Sequence, residues 1–235
     1  MNIALIGYGK MGHVIEQIAI QRGHSITVKL TSKEANFSSS LLKGSDVAIE
    51  FSVPDAVISN ISKCFDAKVP VVVGTTGWMT HLEKVTAECT VKQGGIFYAS
   101  NFSIGVNIFF KVNKILAKLM NPQAYEISME EIHHTQKLDS PSGTALTLAN
   151  QILANVARKT SWTESENATE DQLSITAKRI SDTPGTHIIT YENEIDKIEI
   201  KHEAKGREGF ALGSVLAAEF MINKEGVYGM DDLLR

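Results

Sequence analysis

The sequence contains little cysteine, little net charge and no long apolar run. Its 235 residues include two cysteines, Cys64 and Cys89, which lack the CxxC spacing of redox and zinc motifs. We therefore expect both to be buried, reduced thiols in a cytoplasmic protein. The formal net charge of −4 provides no general attraction for nucleic acid or for an anionic membrane, so any cationic binding site must be local.

We also expect neither a signal peptide nor a membrane-spanning segment. The first six residues, MNIALI, are followed by glycine and have neither the basic region nor the long apolar region of a signal peptide. No apolar run approaches the ~20 residues that a bilayer-spanning helix needs. With 43% hydrophobic and 21% charged residues, the composition is typical of a globular protein whose partners are neither membranes nor nucleic acids.

Short apolar segments alternate with helical periodicities through the first half of the chain. The strand-like segments lie at residues 2–6, 25–30, 46–51, 69–73 and 95–98, and helices fit at 54–67 and 79–92. Such continuous apolar runs suit strands that are buried on both faces. The alternation predicts an α/β fold with a Rossmann-like, doubly wound parallel sheet.

A glycine pattern, GYGKMG at residues 7–12, follows the first predicted strand and opens the first predicted helix. A lone GxGxxG is weak because glycines occur in many turns, but this context is the one that a dinucleotide-binding loop requires. Gly7 would allow the sharp turn, Gly9 the close approach of a pyrophosphate, and Gly12 close packing of helix and strand. The alternative is a tight turn without a ligand.

The residues after the second predicted strand bear on the choice of cofactor. An acidic residue there would bind the ribose hydroxyls of NAD, but the chain reads Leu30, Thr31, Ser32, Lys33, Glu34. The two hydroxyls and the ammonium of Thr31, Ser32 and Lys33 could hold a 2′-phosphate. We therefore predict that NADPH is used at least as well as NADH, although Glu34 could still reach back.

Three further strand ends are candidates for ligand contact. They are FSVP at residues 51–54, GTTG at 74–77 and ASNF at 99–102. In open α/β sheets, ligands bind beyond the carboxyl ends of the strands. For residues 74–77 the plainer alternative is a simple strand–helix loop.

The pattern changes after residue 104. Helices are predicted at residues 105–120, 142–158 and 210–223, and strands at 125–134, 172–180, 186–192 and 195–203. Polar alternation in the later strands predicts an antiparallel or mixed sheet, with Ile195, Ile198 and Ile200 as candidate core positions. The polar residues 161–171 are expected to form a surface loop.

We therefore assign two domains. Residues 1–104 with 209–235 would form the dinucleotide-binding domain. Residues 105–208 would form an α+β domain for substrate binding and oligomerisation.

The segment EIHHTQKLDSPSGTA, residues 131–145, is the most informative part of the chain. It places His133, His134 and Lys137 just before a predicted helix, and protonated His and Lys are both cations and proton donors. A metal site is disfavoured because adjacent side chains on a strand point to opposite faces and no third ligand is evident. A solvated or structural histidine pair is the plainer alternative.

The helix start after these cations favours a proton-donor and anion site. We expect Ser140 to cap the helix and Pro141 to occupy its first turn. Ser142, Gly143 and Thr144 would then offer backbone N–H groups and two hydroxyls to a carboxylate.

The chain resembles the dihydrodipicolinate reductase family, now usually called 4-hydroxy-tetrahydrodipicolinate reductase, over essentially its full length. The resemblance rests above all on residues 131–145, supported in order by residues 7–12, 74–77, 101–107 and 229–231. It implies NAD(P)H-dependent reduction of a cyclic imine dicarboxylate, dihydrodipicolinate formed from 4-hydroxy-tetrahydrodipicolinate, to tetrahydrodipicolinate. That reaction belongs to lysine and diaminopimelate biosynthesis, and the family is typically a homotetramer built through the sheet of the substrate domain.

The resemblance also implies roles for individual residues. His133 would be the acid/base and Lys137 a proton donor. Substrate contacts would come from His134, Ser142, Gly143, Thr144 and Arg207. Cofactor contacts would come from Gly7, Tyr8, Gly9, Lys10, Met11, Gly74, Thr75, Thr76, Ala99, Ser100, Asn101 and Phe102, in addition to Thr31, Ser32 and Lys33.

Two other functions stay open at this level. A semialdehyde dehydrogenase of aspartate metabolism would need a nucleophilic cysteine, and neither Cys64 nor Cys89 lies at a clear strand end. A non-catalytic dinucleotide sensor could keep the fold and lose the chemistry, but it would have no use for His133 and Lys137 beside a carboxylate site.

Overall fold

A computed structural model of the chain describes residues 1–34, 36–165 and 167–235. The chain divides into two compact units: unit 1 is residues 1–104 with 207–235, and unit 2 is residues 105–206. Residues 207 and 208, which the sequence placed in the second domain, therefore lie in unit 1. None of the helices within the described ranges has both the length and the apolar character needed to cross a membrane.

The regular elements are numbered in chain order. The strands are β1 (Asn2–Ile6), β2 (Ser25–Leu30), β3 (Val47–Glu50), β4 (Val71–Val73), β5 (Gly95–Tyr98), β6 (Glu126–His133), β7 (Ser161–Thr163), β8 (Gln172–Arg179), β9 (Thr186–Glu192), β10 (Lys197–Glu203) and β11 (Gly226–Tyr228). The α-helices are α1 (Lys10–Gln21), α2 (Pro54–Ala67), α3 (Leu82–Val91), α4 (Ile104–Met120), α5 (Gly143–Leu153), α6 (Glu208–Met221) and α7 (Met230–Leu233).

Unit 1 contains a six-stranded sheet in the order β11-β5-β4-β3-β1-β2. Every neighbouring pair in it is parallel, so the predicted doubly wound parallel sheet is confirmed. The sequence missed its last strand, β11, because a three-residue segment that begins with glycine carries no apolar run.

The sheet of unit 1 is buried on both faces. Successive residues of β1 enter different core clusters: Ile3 and Leu5 pack with α1 and α6, whereas Ala4 and Ile6 pack with α2 and α3. This two-sided burial explains why the strands read as continuous apolar runs rather than as alternating patterns.

Both cysteines belong to the core of unit 1. Cys64 of α2 and Cys89 of α3 are free and buried, as the sequence predicted. Burial is the main cause that raises the pKa of each thiol above its usual value, so neither is a ready nucleophile at neutral pH.

Unit 2 is built on a five-stranded mixed sheet in the order β10-β9-β6-β8-β7. The central strand β6 is parallel to β8 and antiparallel to β9, which confirms the predicted mixed sheet. One face packs against α4 and α5: Ile127 and Met129 of β6 lie in a single core cluster with Phe109 and Leu148.

Two details predicted for unit 2 are wrong. The expected loop at residues 161–171 begins with a strand, β7, which pairs in parallel with β8. The expected core positions Ile195 and Ile198 are 88% and 38% exposed, because Ile195 lies in the β9–β10 connection and Ile198 lies on the edge strand β10. Only Ile200 packs against the core, and it does so partly.

Candidate active site

The inward-facing residues of β6 change from apolar to ionisable towards the end of the strand. Every second residue of β6 is buried: Ile127 and Met129 come first, and Glu131 and His133 follow on the same face. Glu131 is 1% exposed and His133 is 7% exposed. Buried ionisable groups need partners, and neighbouring strands and the start of α5 provide them.

The Glu131 carboxylate is the centre of this cluster. The backbone N–H of Ser142 donates to both of its oxygens at 3.1 Å, and Arg179 Nη2 donates to Oε1 at 3.1 Å. The ring atoms His133 Nδ1 and His187 Nε2 approach Oε2 to 3.5 and 3.7 Å. Residues from β8, from β9 and from the start of α5 therefore all contact the Glu131 carboxylate of β6.

These partners keep Glu131 ionised. Burial opposes ionisation and is the largest single influence on the pKa of Glu131. The nearby His187, the hydrogen bonds from Ser142 and the electrostatic influence of His133 together outweigh burial and lower this pKa to about 2. The site therefore holds a fixed buried anion at every pH near neutrality.

His133 is neutral in the free protein at neutral pH. Burial, opposed by the charge of Glu131, lowers the pKa of His133 to about 4. Its Nδ1 is buried and has no hydrogen-bond partner among the described residues. Its Nε2 faces Gly185, where a Cβ atom would lie 3.1 Å away, so glycine at this position leaves room for the imidazole.

Lys137 lies on the turn that follows β6. Its Nζ contacts the two carboxylate oxygens of Asp139 at 2.8 and 3.0 Å. The hydrogen bond from Lys137 is the largest cause that lowers the pKa of Asp139, and a backbone hydrogen bond from Gly143 contributes too. In the free protein, the Lys137 ammonium therefore donates to Asp139, and the start of α5 adds to the stabilisation of its charge.

The start of α5 differs from the prediction. Ser142, not Ser140, is the N-cap residue, and its hydroxyl accepts from Ala145 N–H at 3.2 Å. Ser140 Oγ instead donates to Glu164 Oε1 at 2.7 Å, and Pro141 precedes the helix.

This change alters what the helix start can offer to a ligand. Ser142 is 2% exposed and its N–H is taken by Glu131. Gly143 is exposed and Thr144 is half-buried. Of the three residues at which the sequence predicted a carboxylate site, Ser142 thus has its N–H engaged by Glu131, and the role of Gly143 and Thr144 stays a prediction.

The remaining predicted substrate residues lie at two separate places in the chain. His134 is half-buried just after β6, and its carbonyl accepts the N–H of Lys137 at 3.1 Å. Arg207 is exposed in unit 1, where it is the N-cap residue of α6.

Sequence reasoning assigned no role to Glu131, although it lies in the segment singled out, and it did not identify Arg179, Gly185 or His187. His187 lies opposite Glu131 in the β6–β9 register, and Arg179 lies opposite His133 in the β6–β8 register. Strand pairing could not be predicted from the sequence, so the only signals for these residues were a position on the buried face of a predicted strand and a lone glycine.

Glu131, His133 and His187 each offer a ligand atom within 4.8 Å of the others, a spacing that a metal ion could bridge. The carboxylate is already engaged by Ser142 N–H and by the Arg179 guanidinium, and a cation beside it opposes a second one. We interpret the group as a hydrogen-bonded cluster, and the absence of a metal site stays a prediction.

In unit 1, the glycine loop has the geometry that the sequence indicated. Gly7 has φ +94°, and a Cβ atom there would lie 2.0 Å from the carbonyl oxygen of Phe51. A Cβ on Gly12 would lie 2.8 Å from the Gly7 oxygen, whereas one on Gly9 would meet nothing within 4 Å. Packing therefore requires Gly7 and Gly12, and the open space at Gly9 fits a bound pyrophosphate at the start of α1.

Two adjoining cavities of about 330 and 400 Å³ flank this loop. Of the predicted cofactor residues, Gly7, Tyr8, Gly9, Thr31 and Ser32 line the first, and Gly9, Lys10, Met11, Gly74, Thr75 and Thr76 line the second. Neither lining includes Lys33 or residues 99–102. The linings share Gly9, Phe51 and Ser52, so the two cavities are neighbours at the ends of β1 and β3.

Glu34 folds back towards the tip of β2. Its Oε2 accepts the N–H of Thr31 at 2.8 Å and the hydroxyl of Thr31 at 2.6 Å. These hydrogen bonds lower the pKa of Glu34. Glu34 also lines the first cavity, so its ionised carboxylate reaches back to the tip of β2, as the sequence left open.

The other strand ends combine exposed and buried residues. Thr75 is buried and its hydroxyl accepts the N–H of Ser52 at 2.8 Å, which joins the ends of β3 and β4. The ring of Phe102 is buried in the core, so any cofactor contact from that position would come from its backbone. Ser100 is exposed, and Ala99 and Asn101 are half-buried.

The fold and these sites define a class, the oxidoreductases that pair a dinucleotide-binding unit with a separate unit carrying acid–base residues. Residues 1–102 match the family model described as dihydrodipicolinate reductase, N-terminus, and residues 105–234 match the model for its C-terminus. The chain belongs to the dihydrodipicolinate reductase family.

Curated relatives agree with this assignment. The 4-hydroxy-tetrahydrodipicolinate reductase of Christiangramia forsetii is 50% identical over 235 residues, which cover 100% of this chain and 98% of the relative. The protein of the same name from Neisseria meningitidis serogroup C is 31% identical over 93% of this chain and 83% of its own length. The predicted reductase activity is confirmed, and an oxidoreductase of this family binds a nicotinamide dinucleotide.

Solved structures support the fold. A dipicolinate-bound dihydrodipicolinate reductase from Paenisporosarcina sp. TG-14 has a TM-score of 0.79 at 20% identity, covering 99% of this chain and 98% of that one. An amine dehydrogenase from Mycobacterium smegmatis has a TM-score of 0.60 at 9% identity, covering 97% and 94%.

Proposed function

We propose that unit 2 binds the cyclic imine dicarboxylate at the end of β6 and donates the proton that completes its reduction. The observation that supports this most directly is the contact set of Asp139. The Lys137 ammonium holds this side chain, and the N–H of Gly143 at the start of α5 also lowers its pKa. An ammonium and a helix-start N–H are the two kinds of group that bind a carboxylate. A substrate carboxylate would displace Asp139 and free Lys137.

The substrate contacts follow from this placement. One carboxylate would bind the N–H groups of Gly143 and Thr144, with His134 and Lys137 adding positive charge. Ser142 supports the cradle as its cap rather than contacting the substrate through its N–H group. We carry over from the family resemblance that Arg207 meets a second carboxylate.

The proton chemistry follows from the state of His133. A bound nicotinamide dinucleotide supplies the hydride. His133 is neutral in the free protein, and two substrate carboxylates nearby would raise its pKa and favour the imidazolium. His133 or Lys137 then transfers a proton to the reduced ring, and such acid catalysis contributes about 10²–10⁴-fold.

The first test is loss of absorbance at 340 nm with freshly prepared substrate. We expect His133→Ala and Lys137→Ala to lower kcat by about 10²-fold or more, with the Kd of the cofactor unchanged because its residues lie in unit 1. A His133→Ala enzyme with the parent kcat would remove His133 from this role.

We propose that the glycine loop and the two cavities of unit 1 hold NADPH or NADH. Thr31 and Ser32 line the first cavity, as the prediction of a 2′-phosphate site requires, but Glu34 does so too. A carboxylate there repels a phosphate and can accept a ribose hydroxyl. The expectation that NADPH is used at least as well as NADH therefore stays a prediction, with Glu34 as the residue against it.

We also propose that the chain acts in lysine and diaminopimelate synthesis as a cytoplasmic homotetramer. The sheet of unit 2 supports self-association, because residues of β6 that alternate with its core positions, such as Ser128 and Glu130, are exposed or half-buried. A monomeric mass by light scattering at assay concentration would contradict the tetramer.

The two other functions receive less support. A thioester mechanism would need a reactive cysteine, whereas Cys64 and Cys89 are buried with raised pKa values. A sensor without catalysis would bind the cofactor tightly and leave the imine unreduced, which the absorbance assay detects directly.

A further inference from the structure

Glu131 connects the two parts of the substrate site, the imidazole of His133 and the start of α5. We propose that Glu131 is a positioning residue for the reduction, assisted by His187, and that it fixes the geometry and charge of both parts together. This inference rests on the proposed function of the site. It concerns residues that need not touch the substrate.

The first part of the inference is mechanical. Glu131 accepts the N–H of Ser142 with both carboxylate oxygens, and Ser142 caps α5. Arg179 Nη2 donates to Glu131 at 3.1 Å and also to the carbonyl of Asp139 at 2.6 Å. The segment between Asp139 and Ser142 is thus held at both ends through one carboxylate, which sets where Gly143 presents its N–H.

The second part is electrostatic. The groups that act most strongly on His133 are Glu131, His187, Lys137 and Arg179, with Glu131 the one anion among them. Without that anion, an imidazolium at His133 would face two cations and a second imidazole. Because a nearby opposite charge favours the charged form, Glu131 makes a protonated His133 accessible when the substrate binds.

The third part concerns His187, which lies across the β6–β9 pairing from Glu131. His187 Nε2 is 3.2 Å from the Ser142 hydroxyl, and its ring lies 5.1 Å from the His133 ring, edge to face. His187 therefore touches the helix cap, the anion and the acid at once. Its position indicates that His187 fixes the Ser142 hydroxyl and the Glu131 carboxylate relative to each other.

The test is Glu131→Gln, which keeps the size of the side chain and an oxygen for the Ser142 N–H but removes the charge. We expect kcat at neutral pH to fall by about 10-fold or more, and the alkaline limb of the kcat profile to move to lower pH. The Kd for the cofactor should not change. In the complex with dipicolinate, imidazole nitrogen NMR should show His133 deprotonating at lower pH.

Two variants separate charge from shape. Glu131→Asp keeps the charge and shortens the reach, so it should preserve the pH profile and weaken dipicolinate binding. Glu83→Gln is the control for the substitution itself, because Glu83 is exposed on α3 of unit 1. We expect this control to match the parent in every measurement.

The outcomes are distinguishable. A parent enzyme that leaves the substrate unreduced would end the proposed function, whereas an active parent matched by Glu131→Gln would end only this inference. Equal losses in Glu131→Gln and Glu131→Asp with an unmoved pH profile would show a merely structural carboxylate. Should Glu131→Gln fail to fold, a Glu131→Asp enzyme with parental kcat and KM would still overturn the proposal.

Discussion

The two proposed binding sites, the glycine loop of unit 1 and the end of β6 in unit 2, differ in the groups that they offer to a ligand. The loop offers backbone N–H groups and empty space, and its essential features are the φ angle of Gly7 and the open position at Gly9. The β6 site offers ionisable side chains held out of water around Glu131. The first site should therefore fail through steric changes, and the second through changes of charge or pH.

The largest effect should come from adding one methyl group to the loop. Gly7→Ala would place Cβ 2.0 Å from the Phe51 carbonyl oxygen at a φ of +94°. Backbone strain and overpacking each cost about 1–3 kcal/mol, so we expect the free energy of unfolding to fall by about 2–6 kcal/mol. Urea denaturation followed by circular dichroism measures this.

Gly9→Ala is the matched control for that variant. Nothing lies within 4 Å of a Cβ at Gly9, and its φ of −102° is ordinary. We expect parental stability and weakened cofactor binding, because the methyl group occupies the space proposed for the pyrophosphate. Destabilisation equal to that of Gly7→Ala would mean that the open space at Gly9 serves packing rather than a ligand.

The second comparison is the pH dependence of stability, which should be a property of unit 2. The pKa of His133 is about 4 in the folded protein and about 6.5 when unfolded. Between these values the unfolded chain binds more protons, so stability falls as the pH falls from about 6.5 to 4, by up to about 3 kcal/mol. His133→Gln should flatten this slope.

Denaturation at a series of pH values gives the slope, and His81→Gln is the control because His81 is exposed in unit 1. Glu131 adds a separate loss at lower pH, because its pKa of about 2 lies below the unfolded value. A His133→Gln protein with the parental slope above pH 4 would show that His133 is not the group held neutral.

What the sequence could predict follows the same division. In unit 1, β1, the glycine loop and α1 are contiguous in the sequence, so their patterns could be recognised together. The segment at residues 131–145 could be recognised for the same reason. His187 and Arg179 could not be recognised in this way. They approach Glu131 because β6 pairs with β9 and β8, and a local sequence pattern does not reveal the register between distant strands.

Local patterns also misled where a second partner decided the outcome. Ser140 has the residue type of a helix cap, but Ser142 caps α5 while its own N–H serves Glu131. Ile195 and Ile198 have the residue type of a core, but a turn and an edge strand leave them exposed. In each case the residue preference was sound and the tertiary contact overrode it.

The smallest expected effect sharpens the comparison within unit 1, where the Glu34 carboxylate brings negative charge to the cavity that adjoins the glycine loop. Removing that charge by Glu34→Gln keeps the fold of the turn and ends the repulsion of a 2′-phosphate. Because the repulsion between Glu34 and a 2′-phosphate acts through solvent and is screened by salt, we expect the kcat/KM ratio of NADPH to NADH to rise modestly, and most clearly at low ionic strength. Lys33 lies outside both cavity linings, so we expect Lys33→Gln to change this ratio little. A lower ratio in Lys33→Gln would show that the Lys33 ammonium binds the phosphate. An unchanged ratio in Glu34→Gln would place the ribose away from the tip of β2 and leave unit 1 with a site that discriminates by shape alone.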